Sequence, residues 1–214
     1  MVNILVFDSG IGGEAVAKEL QRLLSDSSVT SINDSKHMPY GNRSADEIFE
    51  LTHAALLPYI NDGFKIIVIA CNTATTNAIT KLRLSYPDVN FIGIEPMLKP
   101  ASTISKTKVI AVCATPSTLK SARYNELKSQ LSGIEIIEPD CSNWAELIEN
   151  GKQDLIDIDK TIQPWLEKNV DVIVLGCTHY HWLKDRIVNA VPKSVTVLEP
   201  SDAIARRIID ISNA

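Results

Sequence analysis

Three short segments place thiol, hydroxyl, amide and carboxyl groups directly after apolar runs. They read DSGIGG (8–13), ACNTAT (70–75) and LGCTHYHW (175–182), and they contain Cys71 and Cys177. A thiol with an ordinary pKa near ~8.5 is only partly ionised at neutral pH, so it needs neighbouring groups to act as a base. Asp8 beside Cys71 and His179 beside Cys177 are candidate partners. These residue types predict proton-transfer chemistry.

The segment DSGIGG is a glycine-rich turn between a strand and a helix. Such a turn exposes backbone N–H groups, which is also typical of phosphate-binding loops. The phosphate-binding patterns G-x-G-x-x-G and G-x-x-x-x-G-K-[ST] are absent, however, and the Asp8 carboxylate would repel phosphate. Asp8 is better suited to binding an ammonium group.

The four cysteines, at positions 71, 113, 141 and 177, are far apart and form no C-x-x-C pair. Neither a zinc knuckle nor a thioredoxin motif is indicated, and we expect free thiols. Cys113 lies in VIAVCAT and fits a small buried apolar residue. A zinc hydrolase using Cys71, Cys177 and His179 is an alternative with a poor ligand set, so no metal is expected.

The elements that must position these residues alternate between Val- and Ile-rich runs and amphipathic stretches. The apolar runs predict strands, which are NILVF, VTSIN, KIIVIA, NFIGI, KVIAV, IEII, DVIVLG and VTVLE. The amphipathic stretches predict helices, which lie near 13–24, 44–60, 74–85, 117–131, 143–168 (two helices) and 181–190. Uninterrupted apolar strands such as IIVIA indicate parallel sheets covered by helices on both faces.

The two halves of the chain repeat this pattern at one constant offset. The equivalent residues lie 106 positions apart and are Ile4 and Ile110, Ser9 and Thr115, and Cys71 and Cys177. We therefore expect an α/β fold of two pseudo-symmetric, doubly wound domains with parallel-rich sheets, and an active site in the cleft between them. The predicted domains are 1–97 with 200–214, which carries Asp8 and Cys71, and 98–199, which carries Cys177 and His179.

Composition and charge restrict the possible partners. The 214 residues are 45% hydrophobic and 22% charged, which is typical of a folded globular chain. The net charge is −5 and the basic residues are scattered, so a nucleic-acid partner is not expected. The first apolar run is far too short for a membrane span and has no basic flank or cleavage site, so we expect a cytoplasmic protein without membrane contact.

The motifs DSGIGG, PYG (39–41), ACNTAT and LGCTHY, in this order and spacing, resemble glutamate racemases of the aspartate/glutamate racemase family. Further similar segments span nearly the whole chain and are EPMLKPA (95–101), ATPSTLKSARY (114–124), LIENG (147–151) and SDAIARR (201–207). The resemblance implies a homodimeric isomerase of two α/β domains that interconverts L- and D-glutamate without pyridoxal phosphate, another cofactor or metal. Its product would supply D-glutamate for peptidoglycan.

The resemblance also implies roles for individual residues. Cys71 would be the base for D-glutamate and Cys177 the base for L-glutamate, with Asp8, Glu149 and His179 as supporting acid–base groups. Substrate contacts would come from a set of small, polar or loop residues, namely Ser9, Pro39, Tyr40, Gly41, Asn72, Thr73, Thr115, Thr118 and Thr178.

A few positions depart from the family's pattern. His37 replaces the usual Arg, His181 replaces a Pro, and Ser142 with Asn143 replaces Pro-Leu. The chain also ends soon after SDAIARRIIDI, so we expect a final helical segment to be short or missing. These differences bear on efficiency, effector control and the exact substrate.

Other functions are compatible with the same scaffold. An aspartate racemase, or another amino-acid racemase of the family, would use the same paired cysteines. A non-catalytic relative that only binds a ligand is a second alternative, although Cys71, Cys177, Asp8 and His179 are all present.

Overall fold

The computed structural model describes residues 2–40 and 43–213, which form two compact α/β units. Unit 1 comprises the described residues up to Ile94 and from Pro200 onward, and unit 2 is Glu95–Glu199. The first boundary thus follows Ile94, whereas the sequence pattern places it after residue 97. No helix in these two ranges is long and apolar enough to cross a membrane.

The strands and helices alternate along the chain. The strands are β1 (Val2–Asp8), β2 (Ser27–Asn33), β3 (Ile66–Ile69), β4 (Asn90–Gly93), β5 (Val109–Cys113), β6 (Glu135–Ile137), β7 (Val172–Leu175) and β8 (Thr196–Leu198). The α-helices are α1 (Gly12–Leu23), α2 (Ala45–Asn61), α3 (Asn72–Ser85), α4 (Leu98–Ile104), α5 (Pro116–Lys120), α6 (Ala122–Ser129), α7 (Trp144–Glu149), α8 (Ile158–Glu167), α9 (Lys184–Ala190) and α10 (Ser201–Ser212). Short 3₁₀ helices cover Ser35–His37, Gln153–Leu155 and Thr178–Leu183.

Each unit contains one four-stranded sheet, and the two sheets share a topology. Their strand orders are β2-β1-β3-β4 and β6-β5-β7-β8, and every pairing is parallel. Ile4 lies opposite Ile66 in unit 1, and Ile110 lies opposite Val172 in unit 2. The same register therefore recurs 106 residues later, and the predicted α/β class with parallel sheets is confirmed.

The central strands are buried on both faces. All four residues of β3 and all four of β7 are buried, which explains their uninterrupted apolar sequences. Each sheet has an apolar cluster on either face. In unit 1 one cluster is completed by α10, because Ile204 and Ile208 pack with Val16 and Leu20 of α1.

Three helical regions differ from the sequence-based prediction. The single helix expected near 117–131 is two helices, because Ser121 has an extended backbone and caps α6 by accepting the Tyr124 N–H at 3.1 Å. The helix expected near 181–190 is a 3₁₀ helix followed by α9. The sequence pattern also does not predict α4, which contains a proline, a residue that usually marks a turn.

Candidate active site

In unit 1 the candidate residues meet where the neighbouring strands β1 and β3 end. Asp8 is the last residue of β1, and Cys71 follows β3 by two positions. The Ser9 hydroxyl oxygen lies 3.2 Å from the Cys71 sulfur, and the Ser9 N–H donates to Asp8 Oδ1 at 2.8 Å. The thiol, hydroxyl and carboxyl groups predicted from two separate motifs therefore share one sheet edge.

Burial and charge control the Cys71 thiol. It caps the N-terminus of α3, where its sulfur accepts the Ala74 N–H at 3.4 Å, and only 6% of the residue is exposed. Burial, followed by the negative charge of Asp8, raises the pKa of Cys71 to about 11, although the Ser9 hydroxyl and two backbone N–H groups act in the opposite direction. At neutral pH Cys71 is therefore a thiol, which is the form that donates a proton.

The glycine-rich turn brings a helix close to Asp8. A Cβ at Gly13 would lie 2.6 Å from the Asp8 Cβ, so no side chain larger than hydrogen fits there without a shift. Asp8 itself is 1% exposed. The glycine thus allows close packing of α1 against the acidic residue, which gives the motif a role other than phosphate binding.

Apart from Ser9, the predicted substrate-binding residues of unit 1 belong to α3 and to the segment after β2. Asn72 and Thr73 are the first residues of α3. Tyr40 is 2% exposed and packs in the same apolar cluster as Cys71. Its hydroxyl donates to Asp34 at 2.8 Å, a partner absent from the sequence-based prediction. Pro39 precedes Tyr40, and the predicted contact residue Gly41 lies outside the described residues.

Unit 2 places an imidazole beside the second thiol. Cys177 follows β7, and its sulfur lies 3.9 Å from His179 Nδ1. His179 Nε2 lies 2.5 Å from Glu149 Oε2 at the end of α7. Because Nε2–H donates to this carboxylate, the neutral ring presents the Nδ1 lone pair to the sulfur. This arrangement can take the proton of the Cys177 thiol.

The 3₁₀ helix that carries Thr178 and His179 is firmly anchored. Tyr180 is fully buried, donates from its hydroxyl to the Cys141 carbonyl at 2.8 Å, and packs edge-on against Trp144. Cys113 and Cys141 are buried free thiols of the same apolar cluster. Tyr180 and Cys141 thus hold this 3₁₀ helix in place.

A protein-family model matches most of this chain. Residues 4–208 match the model described as Asp/Glu/Hydantoin racemase. The chain belongs to this racemase family. A glutamate racemase from Ectopseudomonas mendocina is 38% identical over 208 residues, which are 95% of this chain and 79% of that protein.

Solved structures of racemases have the same fold. Glutamate racemase from Escherichia coli, in complex with L-glutamate and the activator UDP-MurNAc-Ala, has a TM-score of 0.85 and 30% identity, and the match covers 97% of this chain and 81% of that one. Glutamate racemase from Francisella tularensis, in complex with D-glutamate, has a TM-score of 0.75 and 26% identity, with coverage of 98% and 80%.

The remaining predicted contact residues of this racemase lie in unit 2. Thr115 caps the N-terminus of α5, and its hydroxyl lies 3.0 Å from that of Thr118. Thr178 is 4% exposed and begins the 3₁₀ helix after Cys177. These hydroxyls follow β5 and β7, which are adjacent strands.

Two residues that depart from the family pattern, His37 and His181, lie beside carboxylates in this racemase. His37 contacts Asp34, and His181 Nδ1 lies 3.9 Å from the Glu199 carboxylate, to which Lys184 also donates at 3.2 Å. Across residues 2–40 and 43–213, no group of three or more His, Cys, Asp or Glu side chains is arranged to hold a metal ion.

Proposed function

We propose that this protein is a glutamate racemase that moves the α-proton between Cys71 and Cys177. The observation that carries the proposal is that each unit places one cysteine at a strand end beside its own acid–base partner. The Cys71 sulfur lies 3.2 Å from the Ser9 hydroxyl, and the charge of Asp8 raises the pKa of this thiol. The Cys177 sulfur lies 3.9 Å from His179 Nδ1. Solved relatives bound to L-glutamate and to D-glutamate support the choice of substrate.

With L-glutamate, the reaction begins at Cys177. His179 accepts the thiol proton at Nδ1 while Glu149 stabilises the resulting imidazolium. The Cys177 thiolate then removes the α-proton, and the Cys71 thiol delivers its own proton to the opposite face of the carbanion. The reverse reaction starts with Cys71 as the thiolate, because microscopic reversibility makes each residue base in one direction and acid in the other.

Asp8 links substrate binding to the pKa of Cys71. Its negative charge raises the pKa of the thiol in the free protein. When the ammonium group of the substrate pairs with Asp8, that charge is offset and the pKa of Cys71 falls. The Cys71 thiolate that D-glutamate requires therefore forms more readily in the complex than in the free protein.

Neutral hydrogen-bond donors complete the proposed site. Asn72, Thr73 and Thr178 bind the α-carboxylate and stabilise the negative charge that develops on deprotonation. The side-chain carboxylate is bound around a second set of residues, namely Tyr40, Gly41, Thr115 and Thr118. A site built for such a carboxylate rejects substrates that lack it, so glutamine and norvaline should be poor substrates.

One experiment tests reaction, substrate and mechanism together. Chelator-treated protein is incubated with L-glutamate or D-glutamate in deuterated water, and both optical rotation and deuterium at the α-carbon are followed. Product should carry deuterium from its first appearance, whereas starting enantiomer recovered early should remain protiated.

Single variants provide the matched comparison. Cys71→Ala and Cys177→Ala should each abolish racemisation in both directions, whereas Cys113→Ala, which removes a buried thiol outside the site, should remain active. Wild-type-like activity of either site variant would rule out the two-thiol mechanism. Faster turnover of aspartate would reassign the substrate, and a silent assay would support a purely ligand-binding protein.

Three further expectations remain to be tested. A homodimer and the use of the product in peptidoglycan stay predictions from the family resemblance, and the cytoplasmic location stays a prediction from the sequence. Light scattering on the purified protein measures the oligomeric state directly.

A further inference from the structure

Asp34 occupies the centre of a hydrogen-bond network beside the unit 1 site. It follows β2, and its backbone N–H donates to the Asp8 carbonyl at 3.0 Å. Its Oδ2 accepts the Tyr40 hydroxyl at 2.8 Å, and its two oxygens lie 2.8 and 3.0 Å from His37 Nδ1. The Asp34 side chain is only 13% exposed. One carboxylate thus connects the strand that carries Asp8 with the segment that carries Tyr40.

The Tyr40 hydroxyl is fully engaged as a donor to Asp34. Burial, together with the hydrogen bond to Asp34 and the negative charge of that carboxylate, raises the pKa of Tyr40 far above its usual value. Tyr40 therefore stays protonated and contributes an anchor rather than an ionisable group. Its influence on the substrate must come through the position of its backbone and ring.

Backbone hydrogen bonds fix the same segment. The His37 N–H donates to the Asp34 carbonyl at 3.0 Å, and the Arg43 N–H donates to the Tyr40 carbonyl at 3.0 Å. The Arg43 side chain also donates to the His37 carbonyl at 2.9 Å. Hydrogen bonds thus connect Asp34 with His37 and Tyr40, and connect Arg43 with both of these residues.

The Asp34 carboxylate needs hydrogen-bond donors. Without its two donors, this mostly buried carboxylate would be unsatisfied near the proposed site for an amino acid with two carboxylate groups. An unsatisfied buried charged group is costly and repels a bound anion. Tyr40 and His37 together supply the hydrogen bonds that prevent this.

We propose that Asp34 is a positioning residue for substrate binding, which holds Tyr40 beside Cys71 while His37 donates a further hydrogen bond to its carboxylate. This inference rests on the proposed function. Asp34 does not touch the reacting atoms, so its network acts on the KM for glutamate and leaves kcat nearly unchanged.

The test is a double-mutant cycle on Tyr40 and Asp34. Tyr40→Phe leaves the carboxylate without one donor and should raise the KM for L-glutamate by about 10-fold, with kcat within about 3-fold of wild type. Adding Asp34→Asn removes the uncompensated charge, so the double variant should have a lower KM than Tyr40→Phe alone. Asp34→Asn alone retains an acceptor for Tyr40 and should change KM less than Tyr40→Phe.

His37 provides a second route that does not disturb the core, because 38% of its side chain is exposed. His37→Ala should raise KM with kcat preserved, and His37→Gln, which retains a donor for Asp34, should restore most of the affinity. Asp62→Asn, which alters an exposed carboxyl group of the same unit, is the matched control and should behave like wild type. If Tyr40→Phe does not fold, the KM values of the two His37 variants test the positioning role of Asp34 instead.

The outcomes separate this inference from the proposed function. Additive KM effects in the cycle, or a loss of kcat at constant KM, would overturn the positioning role. The same conclusion follows if His37→Ala and Tyr40→Phe both keep the wild-type KM. A wild-type protein that neither racemises nor binds L-glutamate would instead overturn the proposed function, and this inference with it.

Discussion

Cys71 and Cys177 each follow the equivalent strand of their own sheet by two positions, but their immediate neighbours differ. Cys71 adjoins a hydroxyl and is influenced by an anionic carboxylate, whereas Cys177 adjoins an imidazole that is oriented by Glu149. A repeated backbone has therefore been equipped with two different acid–base environments. This difference suits a reaction in which one thiol must be protonated while the other is ionised.

The raised pKa of Cys71 gives a pH-dependent prediction. With a pKa of about 11, the thiolate is a very small fraction at neutral pH and increases as the pH rises. Alkylation of Cys71 by iodoacetamide in the free protein should therefore be slow at pH 7 and accelerate up to about pH 11, as measured by mass spectrometry of its peptide.

Two variants should shift that alkylation profile in opposite directions. Asp8→Asn removes a negative charge that raises the pKa, so alkylation should move to lower pH. Ser9→Ala removes a hydroxyl that lowers the pKa, so alkylation should move to higher pH. An unchanged profile in Asp8→Asn would show that this carboxylate does not control the thiol.

Individual site residues could be predicted from the sequence when they lay in a strand-end motif. Asp8, Cys71 and Cys177 each follow an apolar run, which is a readable signal. Asp34 also follows a strand, but its role depends on His37, which reaches it through a 3₁₀ turn, and on Tyr40, which reaches it from six positions along the chain. No periodic pattern encodes such a contact.

At the scale of elements, Ser121 shows how a polar side chain interrupts a regular pattern. The amphipathic periodicity continues through 117–131 and predicts one helix, but the serine hydroxyl offers the Tyr124 N–H an alternative acceptor. The backbone at Ser121 is extended, so the chain turns between α5 and α6. Periodicity reports which face is apolar and does not report where a cap forms.

Loss of this cap should destabilise unit 2 measurably. Ser121→Ala should lower the free energy of unfolding by about 1 kcal/mol, because the Tyr124 N–H loses its acceptor. Urea unfolding followed by circular dichroism measures the change. Ser129→Ala, at the other end of α6, removes only a hydroxyl that donates to the Glu126 carbonyl and should change stability by less than about 0.5 kcal/mol. Equal effects of the two substitutions would contradict the capping role.

For the whole molecule, the internal repeat was the most informative sequence feature. Buried parallel strands have continuous apolar sequences, so their positions and spacing can be read directly, and the two sheets share one register. The contact of His179 with Glu149 could not be derived from such a pattern, because it joins residues that lie 30 positions apart on two different helices. Glu149 was instead suggested by the family resemblance.

The chain leaves unit 1 after Ile94 and returns to it at Pro200, so the core of unit 1 depends on a segment that follows all of unit 2. Ile208 of α10 is 1% exposed and packs with Val16 and Leu20, whereas its neighbour Ile209 is 45% exposed. Ile208→Ala should destabilise unit 1 by about 2–5 kcal/mol through the lost apolar contacts and the cavity left behind.

Hydrogen exchange read by mass spectrometry locates this effect within the molecule. In Ile208→Ala, the amides of β1 and β3 should exchange faster, while those of β5 and β7 keep their protection, because each unit has its own apolar clusters. Ile209→Ala, the matched control on the exposed face of α10, should leave both sheets protected. Equal acceleration in β1 and β5 would mean that the two sheets unfold as one cooperative unit, and that α10 stabilises the whole molecule rather than unit 1.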